Sequence, residues 1–178
     1  MRSFSYQEYK CIIEYYKSYL KLLSFEQVNK SSKNFFIIRH DVEFSVERAF
    51  NLAQFEKEKL NIKSTFFFQL KNNSYNLLSY ENIKKVNQII KMGHKVGLHL
   101  NYKGPKLKNR MISELNLQQK ILLSIFKKTT NFFSPHRPSL NKLFGNISNK
   151  YFKNTHSDLH FTPYEKAITN PNKILYLT

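Results

Sequence analysis

Four large apolar residues, Phe35-Phe36-Ile37-Ile38, run directly into a charged cluster, Arg39-His40-Asp41-Val42-Glu43, and few folds accommodate that junction. The apolar run is too short and too rich in β-formers for a buried helix, and helical spacing begins only after Ser45, so it reads as a buried parallel strand. In α/β folds the carboxyl end of such a strand opens onto the ligand crevice. Residues two apart share a face of an extended chain, which aims Asp41 and Glu43 into the crevice and Val42 away from it. Two acids so placed can divide labour, one taking a proton from water while the other holds a cation that acidifies the same water.

Around this strand the chain alternates. Ile12, Ile13, Tyr16, Leu20 and Leu23 recur at helical spacing and predict an amphipathic helix over about 5–25, packed outside the sheet. Ser45 is a candidate N-cap for a helix to about Leu60, with Ala49, Leu52, Ala53, Glu56 and Leu60 on one face. Ser64–Leu70 reads as a second strand, Ser79–Lys91 as a helix, Lys95–Leu100 as a third strand, Leu107–Lys128 as a long helix and Phe132–Ser134 as a fourth strand. Beyond these lie a helix around Asn141–Asn149, an extended piece at Tyr151–Thr155 and a last strand at Ile174–Leu177. This order calls for parallel strands with right-handed crossovers. A complete eight-fold barrel needs about 250 residues, so the 178 residues here predict one α/β domain, 1–178, built as a distorted, incomplete (β/α) barrel with mainly parallel strands.

Composition narrows the function classes. With 41% hydrophobic and 15% aromatic residues the chain is no disordered polymer. The formal charge of +17 suggests a polyanionic partner, yet the lysines are spread over every segment and no Lys/Arg run exceeds two residues, so nucleic acid is not expected. The single Cys11 cannot form an internal disulfide and reads as a core thiol in a reducing compartment. No signal-peptide pattern is present and no apolar run approaches the ~20 residues of a membrane span. The expectation is a cytoplasmic protein of undetermined oligomeric state.

The candidates for chemistry gather at strand ends: His40, Asp41 and Glu43 after the first strand, His99 after the third, His136 and Arg137 after the fourth. In a (β/α) arrangement these ends face one mouth. Carboxylate plus imidazole is the ligand mixture that suits a catalytic Zn²⁺ or a similar divalent metal. His99 and His136 with one of the two acids, Asp41 or Glu43, are the candidate ligands and the other acid the candidate general base, with Arg137 adding charge at the oxyanion or holding an anionic part of the substrate. Arg39 and His40, at the same strand exit, are expected to bind substrate. His94 precedes its strand and reads as a turn or supporting histidine, and His156 and His160 receive no role. With 4 glycines and neither GxGxxG nor GxxxxGK[ST], a nucleotide cofactor is not expected; GxSxG is absent too. Metal-assisted hydrolysis remains.

Arg39-His40-Asp41-Val42-Glu43-Phe44-Ser45, Lys63-Ser64-Thr65-Phe66-Phe67-Phe68, Ser74-Tyr75-Asn76-Leu77 and Gly93-His94-Lys95-Val96-Gly97-Leu98-His99, followed by His136-Arg137-Pro138, together resemble the polysaccharide deacetylase family. This is the NodB-homology or carbohydrate esterase family four domain, and the likeness is greatest to a branch with an RHDVD-type opening. It spans Phe35 to Pro138 in order and spacing. The resemblance implies a distorted (β/α) barrel that removes acetyl groups from N-acetylated sugars with a divalent metal, here in cell-surface glycan biosynthesis. By position it implies Asp41 as base, Glu43 in place of a metal-binding Asp, His99 as the first metal-binding His, and His136 in the loop of the family's Arg-Pro-Pro motif. Lys103 stands where the second His of the family's pair falls, so His136 is expected to replace it. The sequence given ends at Ile174–Thr178, where the family's last strand leads into a loop bearing a catalytic His. These departures support a second reading, a catalytically inactive glycan-binding or remnant domain; a basic nucleic-acid binder is the third.

Overall fold

The computed structural model describes residues 5–29, 31–137, 147, 151–156 and 175–177. The elements run α1 Tyr6–Lys17, β1 Lys21–Leu22, β2 Phe35–Val42, α2 Val46–Phe55, β3 Thr65–Phe68, α3 Tyr80–Lys91, β4 Lys95–Leu100, α4 Lys108–Phe126, β5 Phe132–Pro135, β6 Lys153–Asn154 and β7 Leu175–Leu177. A π-helical stretch, Glu56–Leu60, carries α2 on without a break. Among the described residues the sheet has seven strands in the order β1-β2-β3-β4-β5-β6, with β7 also paired to β2. Every pairing is parallel. The fold is therefore the distorted, incomplete (β/α) barrel that the strand and helix order predicts.

β2 is the hub. Its start pairs with β1 (Lys21 opposite Phe35), its middle with β7 (Tyr176 opposite Ile37) and its end with β3 (Phe67 opposite Asp41). The strand runs through Val42 rather than stopping at Ile38, so Arg39, His40 and Asp41 are ladder residues rather than loop residues. Ser45 caps α2 as expected, its hydroxyl accepting from the Arg48 amide at 3.2 Å.

Side-chain alternation splits the core into two sides. Inside the curl, Phe35, Ile37, Phe67 and Phe132 pack with Phe25 and Val28 from the segment between β1 and β2. Phe25 plugs this end, its ring centroid 5.8 Å from that of Phe67 and 5.2 Å from that of Phe132. Outside, Phe66, Phe68, Val96, Leu98 and Leu100 meet the buried faces of α2, α3 and α4, and Phe36 and Ile38 meet Tyr9 and Ile13 of α1.

The N-terminal helix is shorter than the periodicity predicts. It ends at Lys17, where Ser18 caps it, and the chain then turns back to lay β1 along β2. Cys11 is exposed, contrary to the core thiol expected; the helix buries Tyr9 and Ile13, and the residue midway between them falls on the opposite face. The helix expected at Asn141–Asn149, Ile147 apart, and His160 lie outside the described residues.

Gly97 on β4 has an ordinary backbone, but its missing side chain is what lets Phe67 lie across the sheet interior. A Cβ there would meet the Phe67 ring at 2.6 Å and the Thr130 methyl at 2.8 Å. Gly97→Ala is expected to lower the unfolding free energy by about 1–3 kcal/mol, the usual cost of overpacking, read as a lower urea midpoint with an unchanged slope.

Candidate metal centre

The inward positions of β2 continue from apolar to charged: Phe35, Ile37, Arg39, Asp41 and, just past the strand, Glu43. β4 brings His99, 2% exposed, to the same side, and the residue after β5 is His136. Three atoms converge there. Glu43 Oε1 lies 3.1 Å from His99 Nε2 and 2.9 Å from His136 Nδ1, and the two ring nitrogens are 3.2 Å apart. These are the three residues expected as ligands, and one donor atom from each lies within 4.8 Å of the others.

Donor counting shows what this cluster needs. His99 Nδ1 is 3.0 Å from the Ser134 carbonyl, which can only accept, so Nδ1 carries the proton and Nε2 of the neutral ring is a lone pair. That lone pair faces a carboxylate oxygen and a second imidazole nitrogen. A cation between them, a proton or a metal ion, resolves the clash, and a ring N–H spent on a backbone carbonyl is the usual way a metal-ligating histidine is oriented. Burial holds His136 below its ordinary value, against the pull of Glu43. Burial also pushes the Glu43 carboxyl up, but the contacts with His99 and His136 outweigh it and hold the group below its ordinary value. Both directions favour a neutral imidazole and an ionised carboxylate, the forms that bind metal.

Asp41 sits one step deeper. Its Oδ2 accepts from Ser134 Oγ at 2.9 Å and pairs with Arg39 Nη2 at 3.3 Å. Its Oδ1 is buried and has no hydrogen-bond partner among the described residues. Arg39 is itself buried and reaches Thr155 Oγ1 at 3.2 Å, so it stands behind Asp41 rather than at the substrate position expected of it. Loop residues fix the mouth. Asn72 Nδ2 donates to the Glu43 carbonyl at 2.9 Å, and Tyr75 bridges two strand ends, donating to the Val42 carbonyl at 2.7 Å and accepting from the Gln69 amide at 2.9 Å. Glu43, His136 and Arg137 line a cavity of about 700 Å³ with Gln69, Asn72 and Lys103. Asp41 and His99 are not among its wall residues.

His40 is not in this site, which corrects its expected role in substrate binding. As an even-numbered residue of β2 it faces outward, where Nε2 donates to Glu56 Oε1 at 2.8 Å. Glu56 has no exposed surface and also accepts from Tyr9 Oη and, at 2.5 Å, from Ser64 Oγ. His94 completes the group: Nδ1 accepts from the Ser64 amide at 3.1 Å and Nε2 donates to the Ala53 carbonyl at 3.0 Å. A Glu within the apolar stripe of α2 was the available sequence signal for this cluster. The reading that gave His156 no role also missed its surroundings; burial, with Arg39 next in weight, lowers it to about 4.

No family model matches the chain, and neither does any curated protein. Solved structures do. A CE4 family pseudoenzyme from Bacillus anthracis superposes with a TM-score of 0.51 at 15% identity, over 82% of this chain and 55% of that one. A mutant of that pseudoenzyme with restored enzymatic activity gives 0.50 at 15% identity, over 82% and 57%. A chitin deacetylase from the fungal pathogen Colletotrichum lindemuthianum gives 0.48 at 17% identity, over 68% and 51%. The likeness to the first two shows that this chain shares the fold of that CE4 family pseudoenzyme. The chain spans little more than half the length of these structures.

The outer cluster sets an acid limit on stability. Burial pushes the Glu56 carboxyl up, but hydrogen bonds from His40, Ser64 and Tyr9 outweigh it and hold the group below its ordinary 4.5, while burial holds His94 below its ordinary 6.5. In both cases the unfolded chain binds protons more readily than the folded one, so stability is full above pH 6.5 and falls on acidification. The expected urea midpoint declines as pH drops through 6.5 and again below 4.5. Glu56→Gln, which leaves three donors facing a group with one acceptor, is expected to cost about 3–5 kcal/mol at pH 7 and to remove the second decline.

Proposed function

We propose that this chain is a metal-dependent deacetylase of the RHDVD-type branch, removing the acetyl group from an N-acetylated sugar during cell-surface glycan biosynthesis in the cytoplasm. The observation that carries this reading is the convergence of Glu43 Oε1, His99 Nε2 and His136 Nδ1, with the remaining His99 proton committed to Ser134. Two imidazoles and a carboxylate suit Zn²⁺ and leave a coordination position open. An ion held there supplies a Lewis acid that polarises the acetyl carbonyl and acidifies water.

The remaining steps belong to side chains. Asp41 takes the proton from the attacking water on Oδ1, the oxygen without a partner, while Ser134 and Arg39 fix Oδ2 and so set the direction of the free lone pairs. Arg39 is a positioning residue in this scheme. The cavity lies within the roughly 300–1,000 Å³ range of ligand sites, and four of its wall residues, Gln69, Asn72, Asn73 and Asn101, are carboxamides, a group able to donate to and accept from a sugar hydroxyl.

A second reading, an inactive glycan-binding domain, draws on the position of Asp41 behind the cavity wall. Calorimetry and turnover separate the two. The parent chain is expected to bind Zn²⁺ and to release acetate from chitooligosaccharides. His99→Ala and His136→Ala should each weaken Zn²⁺ binding by about 100-fold or more, since loss of a supporting residue alone costs about 10–100-fold. Asp41→Asn should keep the metal and lose about 10²–10⁴-fold in rate. Undiminished Zn²⁺ binding by His136→Ala rejects the metal assignment, and metal without turnover in the parent selects the binding domain.

A further inference from the structure

We propose that Lys103 and Arg137 form an anion-binding subsite in the cavity wall, so that the N-acetylated sugar taken there carries a carboxylate or a phosphate. This rests on the reading of the cavity as a sugar site and names the class of sugar. The charge balance of the wall carries it. Five charged residues line the cavity: Glu43, Glu114, Lys71, Lys103 and Arg137. Lys71 Nζ pairs with Glu114 Oε1 at 2.5 Å, and Glu114 also accepts from Gln118 at 2.6 Å. The Glu43 carboxylate faces His99 and His136 as the candidate ligand to the ion. Lys103 and Arg137 are left with no carboxylate partner among the described residues. A divalent ion held by the one carboxylate of Glu43 would leave one positive charge uncompensated, and these two residues add two more. A local excess of one sign of charge in a cleft concentrates counter-ions.

Backbone geometry holds both cations at the wall. The His136 amide continues the sheet ladder, donating to the Leu100 carbonyl at 2.9 Å, and at the next residue the chain turns sharply, with Arg137 at φ 48°. A left-handed conformation at a residue with a side chain is unfavourable, and such outliers gather at ligand clamps. Lys103 sits in a turn closed by its neighbour, Tyr102, whose hydroxyl donates to the Pro105 carbonyl at 2.7 Å. The Tyr102 ring lies so close over Gly104 that a Cβ there would meet its Cζ at 2.8 Å.

The test uses the full chain, Zn²⁺-loaded and after chelation, titrated at low salt with three monosaccharides that share the acetamido group. These are N-acetylglucosamine, which is neutral, N-acetylmuramic acid, which bears a carboxylate, and N-acetylglucosamine 1-phosphate. At least one anionic sugar is expected to bind the metal-free chain about tenfold more tightly than the neutral one, and the tighter of the two names the anion. Lys103→Gln and Arg137→Gln should each reduce that preference about three- to fivefold, the scale of an exposed ion pair, with an unchanged urea midpoint as the sign of an intact fold. Raising the salt should reduce the preference too. Equal binding of all three sugars, no binding of either anionic sugar, or an unchanged preference in the double variant overturns the subsite. Failure of Zn²⁺ to bind while the preference persists removes the deacetylase reading alone.

Discussion

Everything in this structure depends on the alternation of side chains along β2. Phe35, Ile37, Arg39, Asp41 and the following Glu43 look into the curl of the sheet, while Phe36, Ile38, His40 and Val42 look out to the helices. A slip of one residue would exchange the two sets, burying His40 inside and turning both acids towards the helix layer. Three parallel partners, β1, β7 and β3, pair along successive stretches of the strand, β1 and β7 sharing Phe36, and together pin its register.

The two sides of β2 carry polar clusters of opposite character. On the helix side Glu56, His40, Tyr9, Ser64 and His94 satisfy one another, and the histidine tautomer is fixed by a donor at one ring nitrogen and an acceptor at the other. A closed network of this kind holds elements in place: α1, the end of α2, and the residues leading into β3 and β4 all meet there. Inside the curl the accounting does not close. Glu43, His99 and His136 bring lone pairs together, and Asp41 keeps a buried oxygen without a partner. Unsatisfied acceptors at a strand end are costly to bury, and a group that is left so at the mouth of a cavity is where chemistry is to be sought.

The mouth is built on rigid elements with short tethers. Glu43 lies one residue past β2, and its backbone is held by Asn72 while Tyr75 ties Val42 to Gln69, so the ligand carboxylate inherits the order of the sheet. Two residues before His99 on the same strand, Gly97 leaves room for the Phe67 ring and so lets the sheet interior fill.

Local pattern alone reached far here. The buried strand at Phe35, the βαβ alternation, the Ser45 cap, the shared face of Asp41 and Glu43, and the placing of His99 and His136 at the ends of strands all follow from the period of a single backbone segment. The same parity put His40 on the outer face; its place beside two acids suggested the site instead, and the structure sides with parity. Cys11 and β1 went astray for a local reason too, since a helical apolar stripe does not announce where the helix stops and a two-residue strand has no period to read. What only the tertiary structure decided is which distant residues meet. Glu43, His99 and His136 lie on or just past the ends of three different strands, and Glu56 meets Tyr9, His40, Ser64 and His94 from separate segments; those distances are set by the curl of the sheet and the packing of the crossover helices, neither of which is written in any one stretch of chain.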